Sequence, residues 1–199
     1  MNNPGLNVFL TIITFGIFGL VLFFGLMRRM RDHNRRRLEL LDAANTLAWE
    51  RANKMGLAEE LRPNFERVAF HLQTLRTMTT DSRDPVLWLI LAIVTGGLAV
   101  TIGLILLDGD LIKHDRSEGA AEAELAAIYG RLGQTVPAPD PGRVKLPQNY
   151  VGRVIVTIVT FGIYLLWWLY DAMVDGNRHF EINWAWEDSL GQAASAIAD

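Results

Sequence analysis

The 199-residue chain contains no cysteine. That excludes disulfides, thiolate metal sites and a cysteine nucleophile, and it leaves the compartment open. There is no basic excess either. With 19 Lys and Arg against 22 Asp and Glu the net charge is −3, so no global positive field points to nucleic acid. Catalytic signatures are missing as well: no phosphate loop, no Gly-x-Ser-x-Gly elbow, no His-Glu-x-x-His pair and no dinucleotide fingerprint. No Lys or Arg precedes Arg28, and no small-x-small cleavage site follows the first apolar run. Positive charge comes after that run, which reads as a retained anchor rather than a secretory leader.

The most informative absence is that of charge in three long runs, Leu6 to Met27, Val86 to Leu107 and Val154 to Tyr170. They lie within a chain that is 21% charged yet has a mean hydropathy of +0.17. The runs are related. VFLTIITFGIFGLVL at Val8 to Leu22 returns as VIVTIVTFGIYLLWW at Val154 to Trp168, and a worn copy holds Ile93-Val94-Thr95-Gly96-Gly97-Leu98. Repeats of this kind indicate a multiplied structural unit. The first two runs are 22 residues each and the third is 17. At about 1.5 Å per residue, 22 residues of helix reach about 33 Å, enough for a hydrocarbon core of about 30 Å.

The expected fold is therefore an all-α integral membrane protein with three transmembrane helices from a repeated unit and amphipathic helices in the linkers. Of the 19 Lys and Arg, 12 lie in 28–84. By the positive-inside rule this predicts a multi-pass protein of the bacterial inner membrane. The N-terminus would be outside, and residues 28–84 and the C-terminus cytoplasmic. The competing topology bends each run at its Thr/Gly centre into a re-entrant hairpin. It is disfavoured on the argument that turn backbone in lipid goes unsatisfied.

The expected organisation is a first membrane repeat (1–34), a helical hairpin (35–84), a second repeat (85–116), a helical and Pro-rich linker (117–150), a third repeat (151–188) and a flexible tail (189–199). In the first linker Leu38, Leu41, Ala44, Ala48, Ala52 and Met55 form one stripe. Phe65, Val68, Leu72 and Leu75 form a second, with a break expected at Arg62-Pro63. In the second linker a short helix is expected over 119–132, with Ala121, Leu125, Ile128 and Tyr129 on its apolar side, then a stiff connector from Pro137 to Gly142. Trp184 and Trp186 read as headgroup-level anchors.

Thr14, Gly16, Thr95, Gly97, Ala99, Gly103, Thr160 and Gly162 are expected to serve helix packing, because small residues let membrane helices approach closely. A polar phrase follows each run and supplies an interfacial set: Asp32, Arg36, Asp110, His114, Asp175, Asn177 and His179. Asp110/His114 and Asp175/His179 stand at i, i+4, a spacing that can place two metal ligands on one helix face. Interfacial hydrogen bonding is the preferred role, and no metal or cofactor is expected. Arg28, Arg29, Arg31, Arg35, Arg36 and Arg37 are assigned to topology and lipid headgroups.

Thr160-Phe161-Gly162-Ile163-Tyr164, Trp168, Asn177-Arg178-His179-Phe180 and Trp186-Glu187-Asp188 together resemble the bacterial membrane family called domain of unknown function 4234. The resemblance is best over 150–190. In 7–40 it keeps Thr14, Gly16 and Ile17, with Phe18 replacing the tyrosine and Arg36 read as standing where His179 would. It implies a bacterial membrane protein and brings no activity with it. The expected function is a non-enzymatic scaffold or accessory subunit of a larger membrane assembly. Its partners would be the lipid bilayer, other membrane proteins or further copies of itself, and not nucleic acid. A small-solute channel or transporter module, and a membrane-surface sensor acting through the 35–80 helices, are the alternatives.

Overall fold

A computed structural model describes residues 3–80, 84–140 and 144–198. It contains α1 (Pro4–Ile13), α2 (Ile17–Lys54), α3 (Ala58–Thr80), α4 (Pro85–Val94), α5 (Leu98–Arg131), α6 (Tyr150–Val159) and α7 (Ile163–Ala198). The all-α expectation holds. The repeat is a short helix, a tight turn and a long helix, made three times as α1–α2, α4–α5 and α6–α7.

Among the described residues no helix is long and apolar enough to cross a membrane. This overturns the three transmembrane helices, the multi-pass inner-membrane placement and the sidedness derived from the arginines. The physical reason lies at the centre of each run. Thr14, Thr95 and Thr160 end 10-residue helices, and the chain then reverses through left-handed backbone. That backbone is Phe15 (φ 50) and Gly16 (φ 90), Gly96 (φ 59) and Gly97 (φ 94), and Phe161 (φ 49) and Gly162 (φ 87). An arm of 10 residues rises only about 15 Å.

The cost held against a hairpin is reduced, because each turn bonds the N–H groups of its threonine and of the two residues after it. In the first copy Thr14 N–H bonds Leu10 O at 3.1 Å, Phe15 N–H bonds Ile12 O at 3.1 Å and Gly16 N–H bonds Thr11 O at 2.8 Å. The threonine hydroxyl closes the rest, donating to Leu10 O (2.7 Å) and accepting from Phe18 N (3.0 Å). Thr95 repeats this with Leu91 O and Ala99 N, and Thr160 with Val156 O and Tyr164 N.

The chain forms two compact units, Met1–Asp32 with Ser82–Ile112 and Lys145–Phe180, and His33–Asp81 with Lys113–Val144 and Glu181–Asp199. In the first unit Phe23, Leu104 and Leu169, each seven residues past its turn glycine, share one buried cluster. Equal register at the contact puts the three turns at one end of that unit.

The second unit buries both predicted stripes, from Leu41 to Ala52 and from Phe65 to Leu75, with Ala121, Leu125, Ile128 and Tyr129 at 0% exposure between them. Met55 is exposed. The break falls at Gly56 (φ 72), not at Pro63. Pro63 sits near the start of α3, where a missing N–H costs little. The short helix expected over 119–132 is the end of α5. The tail expected to fray is helical to Ala198, because Leu190, Ala193 and Ile197 join the core. Of the Pro-rich connector, Pro141 and Gly142 lie outside the described residues.

Two outcomes follow for stability. Gly97→Ala places a side chain at φ +94 and is expected to cost about 1–2 kcal/mol. Gly119→Ala, inside α5 with open space around it, is expected to gain about 0.5–1 kcal/mol. Thermal melts of both variants in one detergent should move in opposite directions. Burial also pushes the Tyr129 phenol, which donates to Ala44 O at 3.1 Å, from 10.0 up to about 12. The folded state then holds this proton more tightly than the unfolded chain. The stability this confers is full below pH 10.0 and is lost as pH rises through about 12. Tyr129→Phe should remove about 0.5–1.5 kcal/mol at neutral pH and flatten that alkaline loss in denaturation curves.

Candidate functional sites

The first candidate is the apolar face of the first unit. Phe15 and Phe161 are each 97% exposed, and Ile17, Ile163, Val159, Val94 and Leu98 also stand in the open. Contiguous apolar exposure on this scale is rare unless something covers it. A phenylalanine in left-handed backbone is a further anomaly, since the conformation costs about 1–2 kcal/mol and the middle copy uses glycine at that position. Neither ring packs against protein to offset the strain.

The apolar band ends at a stitched polar level. Lys145 bridges Asp108 and Asp175, and Tyr150 Oη donates to Asp108 at 2.5 Å. Arg153 donates to Asp171 at 2.6 Å and lies over the Trp168 ring at 5.4 Å. Asp171 is 9 residues past Gly162, Asp108 is 11 past Gly97 and Arg28 is 12 past Gly16, which sets the band at about 14–18 Å of helix rise. Burial, then the bond to Asp108, raises the Tyr150 phenol to about 12. Burial holds the Asp175 carboxyl above its ordinary range in spite of Lys145.

The expected packing residues divide between two jobs. Gly103 does pack, because the Phe23 ring fills the space a Cβ would need, and Ala99 is buried beside it. Gly16, Gly97 and Gly162 have open space around them and serve the turns through positive φ. Thr14, Thr95 and Thr160 cap helices. Asp32 is exposed and pairs with Arg28 at 3.4 Å and Arg31 at 3.0 Å, while Arg35 pairs with Glu39 at 3.2 Å. Arg29 lies over the Phe180 ring at 4.8 Å. Asp110 is half-buried, and Asn177 and His179 are buried.

The second candidate is a buried polar cluster in the second unit. Arg37, grouped from sequence with the headgroup arginines, is fully buried. Its guanidinium donates to Glu118 and Glu122, both also fully buried, and lies 3.2 Å from Glu187. It stacks over the Trp186 ring at 4.9 Å. Trp186, expected as a headgroup anchor, is itself buried and donates to Pro137 O at 2.9 Å. Burial alone would lower the Arg37 pKa, but the charges of Glu118, Glu122 and Glu187 outweigh it and hold the group above its ordinary value.

On the other side of Glu118, His114 Nε2 lies 3.5 Å from Oε2. Asn183 Nδ2 donates to Glu118 Oε2 at 3.2 Å and stands 3.2 Å from His33 Nε2. The His33 and His114 rings meet edge to face with centroids 5.8 Å apart. One donor atom from each of His33, His114 and Glu118 lies within 4.8 Å of the others.

The repeat contains a signal for this cluster that was read in the wrong register. Counted from the turn glycines, the residue equivalent to His179 is His33, not Arg36. His33, His114 and His179 each stand 17 residues past Gly16, Gly97 and Gly162, and Arg37, Glu118 and Asn183 each stand 21 past. His114 works with Glu118 one turn ahead, and Asp175 with Lys145.

Compared with protein-family models, curated proteins and solved structures, the chain matches none. The resemblance to domain of unknown function 4234 rests on its motif residues alone.

Arg37→Met would leave Glu118 and Glu122 buried without their cation, and a loss of about 3–5 kcal/mol is expected in chemical denaturation. Combining it with Glu122→Gln should cost less than the sum of the two, because the pair shares one interaction.

Proposed function

We propose that the chain is a non-enzymatic membrane-surface scaffold that docks on a lipid bilayer from one side, seating the three hairpin tips of its first unit in a single leaflet. The observation that carries this reading is the pair of strained, fully presented phenylalanines at the tips. Two positions where glycine would be relaxed hold an aromatic ring that touches no protein, and a lipid phase gives each ring about 1.5–3 kcal/mol of burial. Height supports it as well, since a band of about 14–18 Å suits one half of a core of about 30 Å. At each tip the N–H groups of the threonine and of the two residues after it are bonded to carbonyls of the preceding arm, which lowers the cost of placing the turn in lipid. Tyr150 and the exposed Trp167, close to the polar level, are the residue types that settle at a headgroup boundary. A channel draws no support from the mid-run threonines, whose hydroxyls are engaged within their own turns.

Wild-type protein is expected to float with lipid vesicles in a density gradient. The double variant Phe15→Gly, Phe161→Gly should fold as well as wild type, because backbone strain is relieved, yet partition at least about 10-fold less. With no native cysteine, Phe15→Cys and Phe161→Cys report depth directly. Both should be shielded from an impermeant maleimide on either side of sealed vesicles. Labelling from the far side would sink one-sided docking. So would wild-type protein that stays at the bottom of the gradient as a homo-oligomer, which would mean that further copies cover the face.

A further inference from the structure

We infer that His33, His114 and Glu118 form a binding site for a first-row transition-metal dication in the second unit. The argument is independent of lipid docking.

Donor chemistry comes first. Two imidazoles and one carboxylate are a set that suits Zn²⁺ and Fe²⁺. A hard ion such as Mg²⁺ or Ca²⁺ would demand more oxygen than these side chains offer. The geometry agrees with that choice. His114 and Glu118 are i, i+4 on α5, the spacing that lays two ligands on one helix face. Their donor atoms lie 3.5 Å apart. Two ligands about 2.0–2.1 Å from a tetrahedral ion are about 3.3–3.4 Å apart, so this edge of the site is already at working length. His33, brought by α2, completes a set whose donor atoms are within 4.8 Å. A side-chain movement of about 1–1.5 Å closes it around an ion of that size.

Orientation supplies a second reason. Arg37 takes Glu118 Oε1, and the other oxygen, Oε2, is the one that meets His114 Nε2. Asn183 buttresses Glu118 from α7, the supporting role that a hydrogen-bonded neighbour plays for a ligating carboxylate. The internal repeat adds a third strand of evidence. At 21 residues past the turn glycine the copies have diverged to Arg37, Glu118 and Asn183, while at 17 past all of them keep histidine. A purely space-filling position would have no reason to hold that one side chain.

The test uses full-length protein in detergent, stripped with a chelator and titrated with Co²⁺ and, separately, Cu²⁺. One Co²⁺ per chain is expected, with the visible bands of four- or five-coordinate cobalt, and the Cu²⁺ electron paramagnetic resonance spectrum should show nitrogen superhyperfine splitting. His114→Gln and Glu118→Gln should each weaken Co²⁺ binding at least about 10-fold, whereas His71→Gln, outside the cluster, should leave it unchanged. Absence of stoichiometric Co²⁺ binding, a Cu²⁺ spectrum without nitrogen coupling, or unaltered affinity in His114→Gln would each overturn the assignment. The two wild-type readouts keep the proposal falsifiable even if a variant fails to fold.

Discussion

At each Thr-x-Gly turn the chain reverses while keeping its N–H groups bonded, and the threonine hydroxyl is what makes this possible. It accepts from the N–H four residues ahead and donates to the carbonyl four residues behind. Helix ends ordinarily leave four such groups without intrahelical partners. A turn that satisfies itself can stand at the tip of a hairpin with only side chains around it. Each apolar run therefore becomes two arms of roughly half the length, and the remaining architecture follows from how those arms meet.

They meet in register. Phe23, Leu104 and Leu169 occupy the same place in their copies and converge in one cluster of the first unit, while ion pairs of Lys145 and Arg153 close the polar end. What results is an apolar band bounded on one side by exposed rings and on the other by charge. The second unit solves a different problem. Its core is aliphatic, with Leu41, Leu125 and Leu190 fully buried, yet it also encloses Arg37 with Glu118 and Glu122. Burying charge is unfavourable unless partners compensate it, and replacement by apolar residues is often neutral or stabilising. Here Arg37, Glu118 and Glu122 compensate one another, with His114 beside Glu118.

Much of the local structure was legible in the chain. The stripes of the 35–80 region and the apolar side of the 119–132 helix point inward as their spacing of three and four requires, since helical periodicity is set by the backbone. The Pro63 break failed because proline near a helix start is tolerated, and a glycine with positive φ ended the helix instead. Fraying of 189–198 failed because Leu190, Ala193 and Ile197, sparse along the chain, gather on one face. Of the site, His114 stands out in its polar phrase, whereas His33 is missed when the phrases are aligned on Arg36, three residues from the register counted from the turn glycines.

The repeat, its Thr-x-Gly centre and the absence of charge around it are properties of the amino-acid order alone. They determine that three equivalent apolar units exist, because uncharged runs must be covered and identical phrases fold alike. Hydropathy sums over a run and is blind to a reversal of direction inside it, so a 22-residue helix and two arms of about half that length score the same. Only the tertiary structure decided between them, through left-handed φ at Phe15, Gly97 and Phe161. Side chains from α2, α5 and α7, distant in sequence, form the polar cluster only once those helices pack, so no local pattern could say which histidine and which glutamate would face one another.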